Sequence, residues 1–482
     1  MLRGSSSSPH VALSKPTYVY DMTAVGAVPT RVRGWGGGDG VSALLLRPAS
    51  ADALRTALAV RRSPAGARAH IAATGAVARG MGRSYGDAAQ LSGGLVLDTT
   101  LLRGFRLDEG HATVTAEAGV TIGELLHTLV PAGWMLPVVP GTQHVTVGGA
   151  IASDIHGKNH SAAGTFGRHV NALGLLAAGG EVLELQPGSD QGLFESTVGG
   201  MGLTGVILWA RIGLTPVQGP LLSVDTDCVE GLDDALALLA GAGGPYRVAW
   251  LDLLGSRTGR AIITRAEHIS DAAGPRARVR GATVSARATV PERWPGGMLA
   301  PSTVRAFNEV RFRRAPRRRR GRPEALGAHM FPLDSLDAWP RLYGRRGLVQ
   351  YQFVLPLGQD QVLHSVIERL RRARVPCFLA VLKDLGAANE APLSFPLAGW
   401  TLALDLPRVA HGLDAALDRC DELVAAAGGR VYLTKDSRLR PEALRAMYPR
   451  LQEWRAVRDR ADPERLWRSD LAVRTRLVDG EL

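Results

Sequence analysis

Apolar and polar positions follow two repeating patterns along most of the chain. The runs 94–98 and 349–354 are short and β-prone, which predicts strands. The stretches 122–130, 360–372 and 413–426 have the apolar spacing of helices that bury one face. Because both patterns recur over the whole length, the sequence predicts a mixed α+β protein.

Helix signals also mark the C-terminal part of the chain. The segment 441–454 reads PEALRAMYPRLQEW, and the segment 462–467 reads DPERLW. A proline near the start of each segment and acidic residues in the first turn favour helix initiation. We therefore predict helices at both places.

The density of glycine divides the chain into regions. Residues 1–30 are rich in serine and aperiodic, which predicts a flexible lead-in. Residues 31–216 combine many glycines with short strands, whereas residues 217–428 have fewer glycines and alternate strands with helices. At 482 residues the chain is long enough for two or three domains.

The charge of the chain is concentrated in one segment. Lys and Arg number 57 against 45 Asp and Glu, which gives a net charge of +12. Eight arginines between 311 and 322 account for most of that excess, and without them +4 remains. Such a block predicts a solvated, mobile loop over 311–323. A phosphate-facing role and a nucleic-acid patch are the alternatives, although no recognised nucleic-acid-binding motif accompanies the block.

Cysteines and apolar runs exclude several classes of protein. The three cysteines are Cys228, Cys377 and Cys420, and no C-x-x-C pair occurs, so neither a zinc site nor a disulfide framework is predicted. The N-terminus lacks the apolar core of a signal peptide, and no run of 18 apolar residues follows. We expect a protein that is cytoplasmic or peripherally associated with a membrane. A location on the envelope side is the alternative.

Three glycine clusters are the most informative motifs. They are the run 79–87 (RGMGRSYGD), the run 140–150 (PGTQHVTVGGA) and the run 199–205 (GGMGLTG). Glycines let successive backbone amides form a concave nest for phosphate oxygens, although a plain tight turn also fits the first run. The dinucleotide fingerprint G-x-G-x-x-G is missed by one position, and the nucleotide-triphosphatase loop is absent. Three clusters within about 130 residues predict one elongated ligand.

Two histidines have a spacing that metal sites use. His156 and His160 stand four residues apart, but Gly157 between them disfavours the helix that would bring them together. We predict no metal.

The order of these motifs resembles the vanillyl-alcohol-oxidase type of flavoenzyme, whose FAD-binding domain is of the PCMH type. The resemblance rests on the three glycine clusters, on DIHGKNH at 154–160, on LVQYQFV at 348–354 and on YLTKDSR at 432–438. It covers residues 31–478. Within the family, the chain is similar to the branch that oxidises decaprenylphosphoryl-β-D-ribose.

The resemblance implies a two-domain α+β fold with a discontinuous flavin domain. Residues 31–216 would form its first part, residues 217–428 the substrate domain, and residues 429–482 the segment that returns to the flavin domain. Arg83 stands where branches with covalently attached flavin have histidine, so we expect non-covalent FAD. The implied cofactor-binding residues are Gly80, Met81, Gly82, Arg83, Ser84, Tyr85, Gly86, Asp87, Gly141, Thr142, Thr146, Gly148, Gly149, Ala150, Ser153, His156, Gly157, Asn159, Gly202, Gly205, Val206, Ile207 and Tyr432.

The resemblance also assigns roles at the reacting centre. Lys435 would be the catalytic residue, stabilising negative charge that develops during oxidation. Lys158 and Lys383 would meet a substrate phosphate, and Gln352 the sugar hydroxyls. The implied substrate-binding residues are Tyr85, His156, Lys158, Trp250, Phe312, Gln350, Gln352 and Lys383.

The chain departs from the family pattern at two positions. Ala403 stands where mycobacterial members carry the cysteine that nitro-aromatic inhibitors attack, and Thr401 stands where asparagine is usual. We therefore expect that such compounds do not trap this protein covalently.

The implied function is oxidation of the 2-hydroxyl of a polyprenyl-phosphate-linked ribose to the 2-keto intermediate. This is the first half of an epimerisation for cell-wall arabinan synthesis, and a separate short-chain reductase would complete it. A flavin oxidase of a free sugar, alditol or sugar lactone is the alternative, because a fold does not fix the substrate. A nucleic-acid-binding protein is the non-enzymatic rival; we expect no nucleic-acid partner, and an anionic membrane surface instead.

Overall fold

The computed structural model describes residues 26–60, 75–241, 243–255, 259–269, 281–294 and 299–478. It contains strands and helices throughout, which confirms the predicted α+β class. The predicted lead-in 1–30 lies outside the described residues except for its last five positions.

Two smaller sheets form the part of the molecule rich in glycine. The first has the strand order Val28–Val32, Val41–Leu46, Leu95–Asp98 and Ala76–Arg79, with one antiparallel and two parallel pairs. The second is antiparallel, in the order Phe105–Asp108, Thr113–Glu117, Val206–Gly213, Val170–Leu176 and Val182–Leu185.

An eight-stranded antiparallel sheet, called here the large sheet, dominates the rest of the molecule. Its order is Arg318–Ala325, Leu221–Val229, Arg260–His268, Tyr246–Asp252, Leu379–Leu385, Gly399–Pro407, Leu348–Pro356 and Arg430–Val431. Two short pairs complete the sheets, Trp134–Met135 with Thr215–Pro216 and Ala288–Thr289 with Leu336–Asp337.

Helices cover these sheets. The α-helices are Ala51–Val60, Ile122–Leu129, Val147–Ala152, His160–Ala163, Leu193–Thr197, Leu232–Ala240, Pro301–Arg314, Leu326–Met330, Asp360–Arg372, Leu413–Ala426, Pro441–Met447, Leu451–Ala461 and Asp470–Thr475. Single 3₁₀ turns occur at Phe166–His169, Asp190–Gly192, Pro332–Ser335 and Trp339–Tyr343.

The large sheet has a continuous apolar core beneath its helices. Helices Leu232–Ala240, Asp360–Arg372 and Leu413–Ala426 bury their leucines and valines against one face of the sheet. The apolar residues of each helix recur at three- and four-residue intervals and so fall on one side. The helices predicted at 360–372 and 413–426 are therefore confirmed with the same bounds.

The C-terminal segment packs on the first sheet. Ala76 donates its N–H to the Leu466 carbonyl at 2.8 Å, and Arg468 donates its N–H to the Ala76 carbonyl at 3.0 Å. Trp467 is fully buried in the apolar cluster beneath that sheet. The chain thus returns to its own beginning after forming the large sheet, whereas the exact domain boundaries stay a prediction.

The prediction of a helix at 462–467 is wrong, whereas the segment 441–454 does contain helical residues. Asp462 ends the helix Leu451–Ala461, and its carboxylate accepts hydrogen bonds from the N–H groups of Leu466 and Trp467 at 2.8 Å each. An aspartate that binds backbone two or more residues ahead favours a turn over a helix.

The arginine-rich segment is not a loop, so the expectation of a loop over 311–323 is also wrong. Its first part ends the helix Pro301–Arg314, and its second part is the edge strand Arg318–Ala325 of the large sheet. Arg320 pairs with Asp227 on the neighbouring strand, with Nη2–Oδ1 at 2.8 Å, so part of the charge repulsion is relieved by strand pairing.

Candidate active site

A cleft lies between the two smaller sheets and the large sheet. It encloses about 1740 Å³, counting the solvent at its open side. All three glycine clusters line it, together with strands of the large sheet and the loop that follows Val431. The clusters predicted to share one elongated ligand therefore lie around a single space.

Two glycines of the first cluster sit at positions that do not accommodate a side chain. A Cβ on Gly80 would lie 2.2 Å from Thr146 Oγ1, and Gly82 has a positive φ of +61°. The Arg79 guanidinium supports the loop from behind, donating to the carbonyls of Ala89 at 2.9 Å and Arg33 at 2.8 Å. The backbone of this loop is consequently bare and faces the cleft, as an anion-binding nest requires.

Most of the residues predicted to bind the cofactor line this cleft. They are Gly80, Met81, Gly82, Arg83, Ser84, Tyr85, Gly141, Thr142, Thr146, Gly148, Gly149, Ser153, His156, Gly202, Gly205, Ile207 and Tyr432. A cleft lined by glycines from three clusters fits FAD, whose pyrophosphate needs close backbone approach. These residues would hold the cofactor, and FAD when bound supplies the acceptor for a hydride.

Six residues of that prediction are not among the described residues that line the cleft. They are Gly86, Asp87, Ala150, Gly157, Asn159 and Val206. They support the loops instead: Asn159 donates to the Pro137 carbonyl at 2.8 Å, and Ala150 and Val206 are fully buried. A Cβ on Gly86 would lie 1.9 Å from the Asp436 carbonyl oxygen, so the first loop and the loop after Val431 touch at that point.

Lys435 lies at the contact of these two loops. Its N–H donates to the Tyr432 carbonyl at 2.9 Å, and its Nζ lies 4.1 Å from the centre of the Tyr85 ring. Burial lowers the pKa of the Lys435 amine to about 7. The amine is thus a positive charge in a poorly solvated place, easily neutralised as pH rises.

Lysine is rare in this chain, and its placement is selective. The sequence has four lysines, and the three within the described residues are Lys158, Lys383 and Lys435. Desolvation lowers the pKa of the Lys383 amine to about 8 and of the Lys158 amine to about 7. Lys383 and Lys435 both line the cleft, whereas arginine supplies most of the charge elsewhere.

Gln352 joins the glycine-rich region to the large sheet. Its Nε2 donates to Thr401 Oγ1 at 3.1 Å and lies 3.0 Å from His156 Nε2. His156 Nδ1 is buried without a hydrogen-bond partner among the described residues. Burial and the nearby lysines hold the pKa of His156 well below its usual value, so the ring is neutral.

The sequence reasoning missed a buried carboxyl group beside these residues. Asp405 Oδ1 accepts a hydrogen bond from Gln350 Nε2 at 2.6 Å, and burial raises the pKa of Asp405 to about 6. The same burial, with the charge of Asp405 beside it, raises the pKa of Tyr85. A lone acid within the apolar strand run WTLALDL is the signal that would have found Asp405.

Arg474 fastens the two loops from below the cleft. Its guanidinium binds both oxygens of Asp87 at 2.8 Å and Asp436 Oδ2 at 2.8 Å. Asp436 in turn accepts the N–H groups of Arg438 and Leu439 at 2.9 Å each. Asp87 therefore acts on the site through Arg474, on the side of the loop away from the cleft.

The predicted substrate residues divide into two groups. Tyr85, His156, Gln350, Gln352 and Lys383 line the cleft with Lys435. The remaining three do not line it within the described chain: Lys158 donates to the His329 carbonyl, Trp250 packs beneath Arg311, and Phe312 packs beneath Arg260.

Several cleft residues were not predicted. The aromatic residues Trp35 and Trp339 line it, as do Asp334 and Thr434. Arg83 stacks its guanidinium on Trp35, 3.6 Å from the ring centre. Trp35, Trp339 and Asp334 come from segments without a recognisable motif, so only the fold brings them to the site, whereas Thr434 lies within the motif YLTKDSR at 432–438.

The described residues lack two kinds of feature. They hold no group of three or more His, Cys, Asp or Glu side chains arranged to bind a metal ion. Within the same residues, no helix has the length and apolar character needed to cross a bilayer.

Comparison with known proteins places this site in a family. The family model described as "FAD binding domain" matches residues 43–186, and the model described as "D-arabinono-1,4-lactone oxidase" matches residues 413–475. These two regions carry the first two glycine clusters and Lys435, respectively.

Full-length relatives extend this similarity. The chain is 38% identical to a decaprenylphosphoryl-beta-D-ribose oxidase of Mycolicibacterium smegmatis, over 93% of this chain and 98% of the relative. It is 40% identical to an uncharacterised protein of Streptomyces coelicolor over 74% of this chain and 99% of the relative. An L-gulono-1,4-lactone dehydrogenase of Mycobacterium tuberculosis is 24% identical over 82% of this chain and 89% of the relative.

The large-sheet region is the substrate domain of such enzymes, and the glycine-rich region is their PCMH-type FAD-binding domain. The matches extend across the chain and include the loops around the cleft. The chain therefore belongs to the FAD-binding oxidase family that includes the vanillyl-alcohol and D-arabinono-1,4-lactone oxidases, and it is an FAD-dependent oxidoreductase acting on CH–OH groups.

Proposed function

We propose that the enzyme oxidises the 2-hydroxyl of decaprenylphosphoryl-β-D-ribose, or of a similar polyprenyl-phosphate ribose, to the 2-keto compound. The observation that carries this proposal is the near full-length similarity to the mycobacterial ribose oxidase. The cleft also holds the polar and cationic groups that such a substrate needs. A separate short-chain reductase would complete the epimerisation.

The cleft residues have different roles in this oxidation. Oxidation of the alcohol removes a hydride from carbon and a proton from oxygen, so negative charge grows on the oxygen. The Lys435 ammonium stabilises that charge, and the poorly solvated surroundings strengthen its effect. Gln352 and Gln350 orient the sugar hydroxyls, and neutral His156 keeps Gln352 in place through its 3.0 Å contact. Tyr85 closes the space beside Lys435 and excludes water.

FAD would be held without a covalent bond. Arg83 occupies the position at which a covalently attached branch of the family carries histidine, and its guanidinium stacks on Trp35. Acid precipitation of the protein should therefore release all of the flavin into the supernatant. Flavin that stays with the precipitated chain would contradict this proposal.

A free sugar or sugar lactone is the second candidate substrate. It is favoured by the match of residues 413–475 to the D-arabinono-1,4-lactone oxidase model. That match contains Lys435, which both candidates would use, so the residue does not distinguish them.

Anaerobic reduction of the bound flavin separates the two candidates. The purified enzyme is mixed with a polyprenyl-phosphoryl ribose, with free ribose and arabinose, and with L-gulono-1,4-lactone, and the flavin absorbance is followed. We expect bleaching by the phosphorylated lipid sugar at the lowest concentrations. Bleaching only by the free sugar or the lactone would overturn the proposed substrate.

A lipid substrate also implies work at a membrane. Phe307 and Val310 are exposed on the helix Pro301–Arg314, 62% and 48% accessible, and Arg314 lies one turn further on. The edge strand that follows this helix in the chain adds the exposed Arg318 and Arg322. We call these five residues the arginine face. Apolar side chains next to arginines fit peripheral binding to an anionic bilayer, on whichever side the substrate is held.

A further inference from the structure

A second cavity lies beside the cleft and has no role in the chemistry described so far. It encloses about 1850 Å³, counting the solvent at its open side, and it shares Trp35, Arg79, Met81 and Gly82 with the cleft. We propose that this cavity binds the phosphodiester group of the substrate while the sugar reacts in the cleft. The proposal rests on the proposed function, because it assumes a phosphorylated substrate.

Positive charge dominates the walls of this cavity. Arg33, Arg293, Arg341 and Arg345 line it, against the two acidic residues Asp39 and Glu292. Within the described chain, none of the four arginines forms an ion pair, and Arg341 donates only to the Val290 carbonyl at 2.9 Å. Guanidinium groups without a carboxylate partner can bind phosphate oxygens in pairs.

Bare backbone forms another part of the wall. Gly37 and Gly38 have φ values of +87° and +91°, and Gly344 on a second loop has +74°. A Cβ on Gly37 would lie 3.2 Å from the Gly347 Cα, so the two glycine loops approach each other closely. Backbone N–H groups on such loops add donors for an anion, as in the nests that bind phosphates.

Two tryptophans give the cavity a side suited to a lipid. Trp35 separates the cavity from the cleft and carries Arg83 on its ring at 3.6 Å. Trp294 also lines the cavity, and its buried Nε1–H has no hydrogen-bond partner among the described residues. A phosphodiester with an apolar chain would use both the donors and the indole faces.

The position of the lysines supports a phosphate site outside the cleft. Lys158, predicted to meet the phosphate, is held by the His329 carbonyl and does not line the cleft. Lys383 lines the cleft together with Lys435 and is absent from the lining of the second cavity. The four arginines of the second cavity therefore replace Lys158 as the partners of the phosphate.

Removing three of these arginines tests the proposal. The FAD-loaded variant Arg33→Gln/Arg293→Gln/Arg345→Gln is compared with wild type and with Arg106→Gln, an exposed arginine on the second sheet. In flavin reduction by a polyprenyl-phosphoryl ribose, the concentration for half-maximal rate should rise at least tenfold in the triple variant. The limiting rate should stay within twofold, because the reacting groups are unchanged. An unchanged half-maximal concentration would overturn the proposal.

A binding measurement that needs no turnover tests the second cavity independently of the proposed substrate. Dibutyl phosphate and inorganic phosphate are titrated calorimetrically into the FAD-loaded wild type and triple variant. We expect dibutyl phosphate to bind wild type more tightly than inorganic phosphate and to bind the variant at least tenfold more weakly. If wild type reduces no flavin with the lipid sugar but shows this pattern, the proposed substrate fails and the phosphodiester site stands. Equal binding to wild type and variant, or equal binding of the two anions, would overturn the site.

Discussion

Lys435 is the residue on which the proposed chemistry depends most. It lies beside Tyr85 at the meeting point of two loops, and burial makes its charge both strong in effect and sensitive to pH. Residues around it, Gln350, Gln352 and Asp405, form hydrogen bonds that fix the site without carrying a positive charge.

Replacing Lys435 should remove turnover and leave the cofactor bound. In Lys435→Ala we expect the rate of flavin reduction by substrate to fall about 100- to 1000-fold, because the positive charge at the reacting oxygen is lost. Stopped-flow absorbance measures this rate, and the ratio of flavin to protein absorbance shows cofactor retention. Lys435→Arg keeps the charge and should be less affected than Lys435→Ala. A rate in Lys435→Ala within tenfold of wild type would contradict the role.

The pH profile of flavin reduction tests which form of Lys435 is active. Its pKa is lowered from 10.5 to about 7, so the amine is charged below pH 7 and neutral above it. Because the ammonium is the form that stabilises negative charge, we expect the rate constant to fall as pH rises through about 7. A rate that rises over the same range would instead indicate that the neutral amine acts as a base.

Ala403 should make the enzyme resistant to nitro-aromatic compounds that trap a cysteine. Ala403 lines the cleft, whereas burial raises the pKa of the Cys420 thiol to about 12 and raises that of Cys377 further, which makes both unreactive. Intact-protein mass spectrometry after turnover with such a compound should show no adduct on wild type and one adduct on Ala403→Cys. An adduct on a native cysteine would refute this prediction.

Loops and strands together build the cleft, and ion pairs hold two of the loops together. Arg474, on the helix Asp470–Thr475, binds Asp87 from the first glycine cluster and Asp436 from the loop of Lys435. Gly86 permits the contact, because its missing Cβ lets the Asp436 carbonyl approach. The last helix of the described residues therefore sets the distance between two segments about 350 residues apart.

Loss of the Arg474 side chain should destabilise the enzyme and weaken FAD binding. In Arg474→Met both carboxylates lose their partner in a partly buried place, and we expect the free energy of unfolding to fall by about 2–4 kcal/mol. The matched control is Arg372→Met, which breaks an exposed pair with Glu368 and should cost less than about 1 kcal/mol. Urea unfolding and FAD titration of the apoprotein measure the two effects. Equal stabilities of the two variants would show that the ion pairs of Arg474 do not hold the two loops together.

In the whole molecule, the basic residues are concentrated in three separate regions. Lysines with lowered pKa values lie in or near the cleft, arginines without ion pairs surround the second cavity, and further arginines cover one edge of the large sheet. The net charge of +12 is therefore not a property of the surface as a whole. It is concentrated in a few regions, and their charge fits the phosphorylated lipid proposed as substrate.

The arginine face should bind anionic vesicles without substrate present. We expect the enzyme to sediment with phosphatidylglycerol vesicles and not with phosphatidylcholine vesicles, and added salt should weaken the binding. Phe307→Ser/Val310→Ser and Arg314→Gln/Arg318→Gln/Arg322→Gln should each reduce sedimentation severalfold, whereas Arg106→Gln should not. Equal sedimentation of all variants would place membrane binding elsewhere or exclude it.

The sequence alone determined what depends on local pattern. Alternation and helical spacing predicted the α+β class and the helices at 360–372 and 413–426, because these elements bury one face each. The glycine clusters predicted a shared ligand, since bare backbone is a local property that a motif records. The same local reasoning failed at 311–323 and 462–467, where strand pairing with Asp227 and the side chain of Asp462 outweigh charge repulsion and helix propensity.

Only the tertiary structure decided which side chains meet. Trp35 and Trp339 line the cleft and Asp405 lies beside it, although their segments carry no motif. Lys158 does not line the cleft, although its motif is intact. The second cavity joins loops about 300 residues apart, which no spacing in the sequence reveals. Chemistry at a site depends on distances between remote segments, and those distances are set by packing of the whole fold rather than by neighbours along the chain.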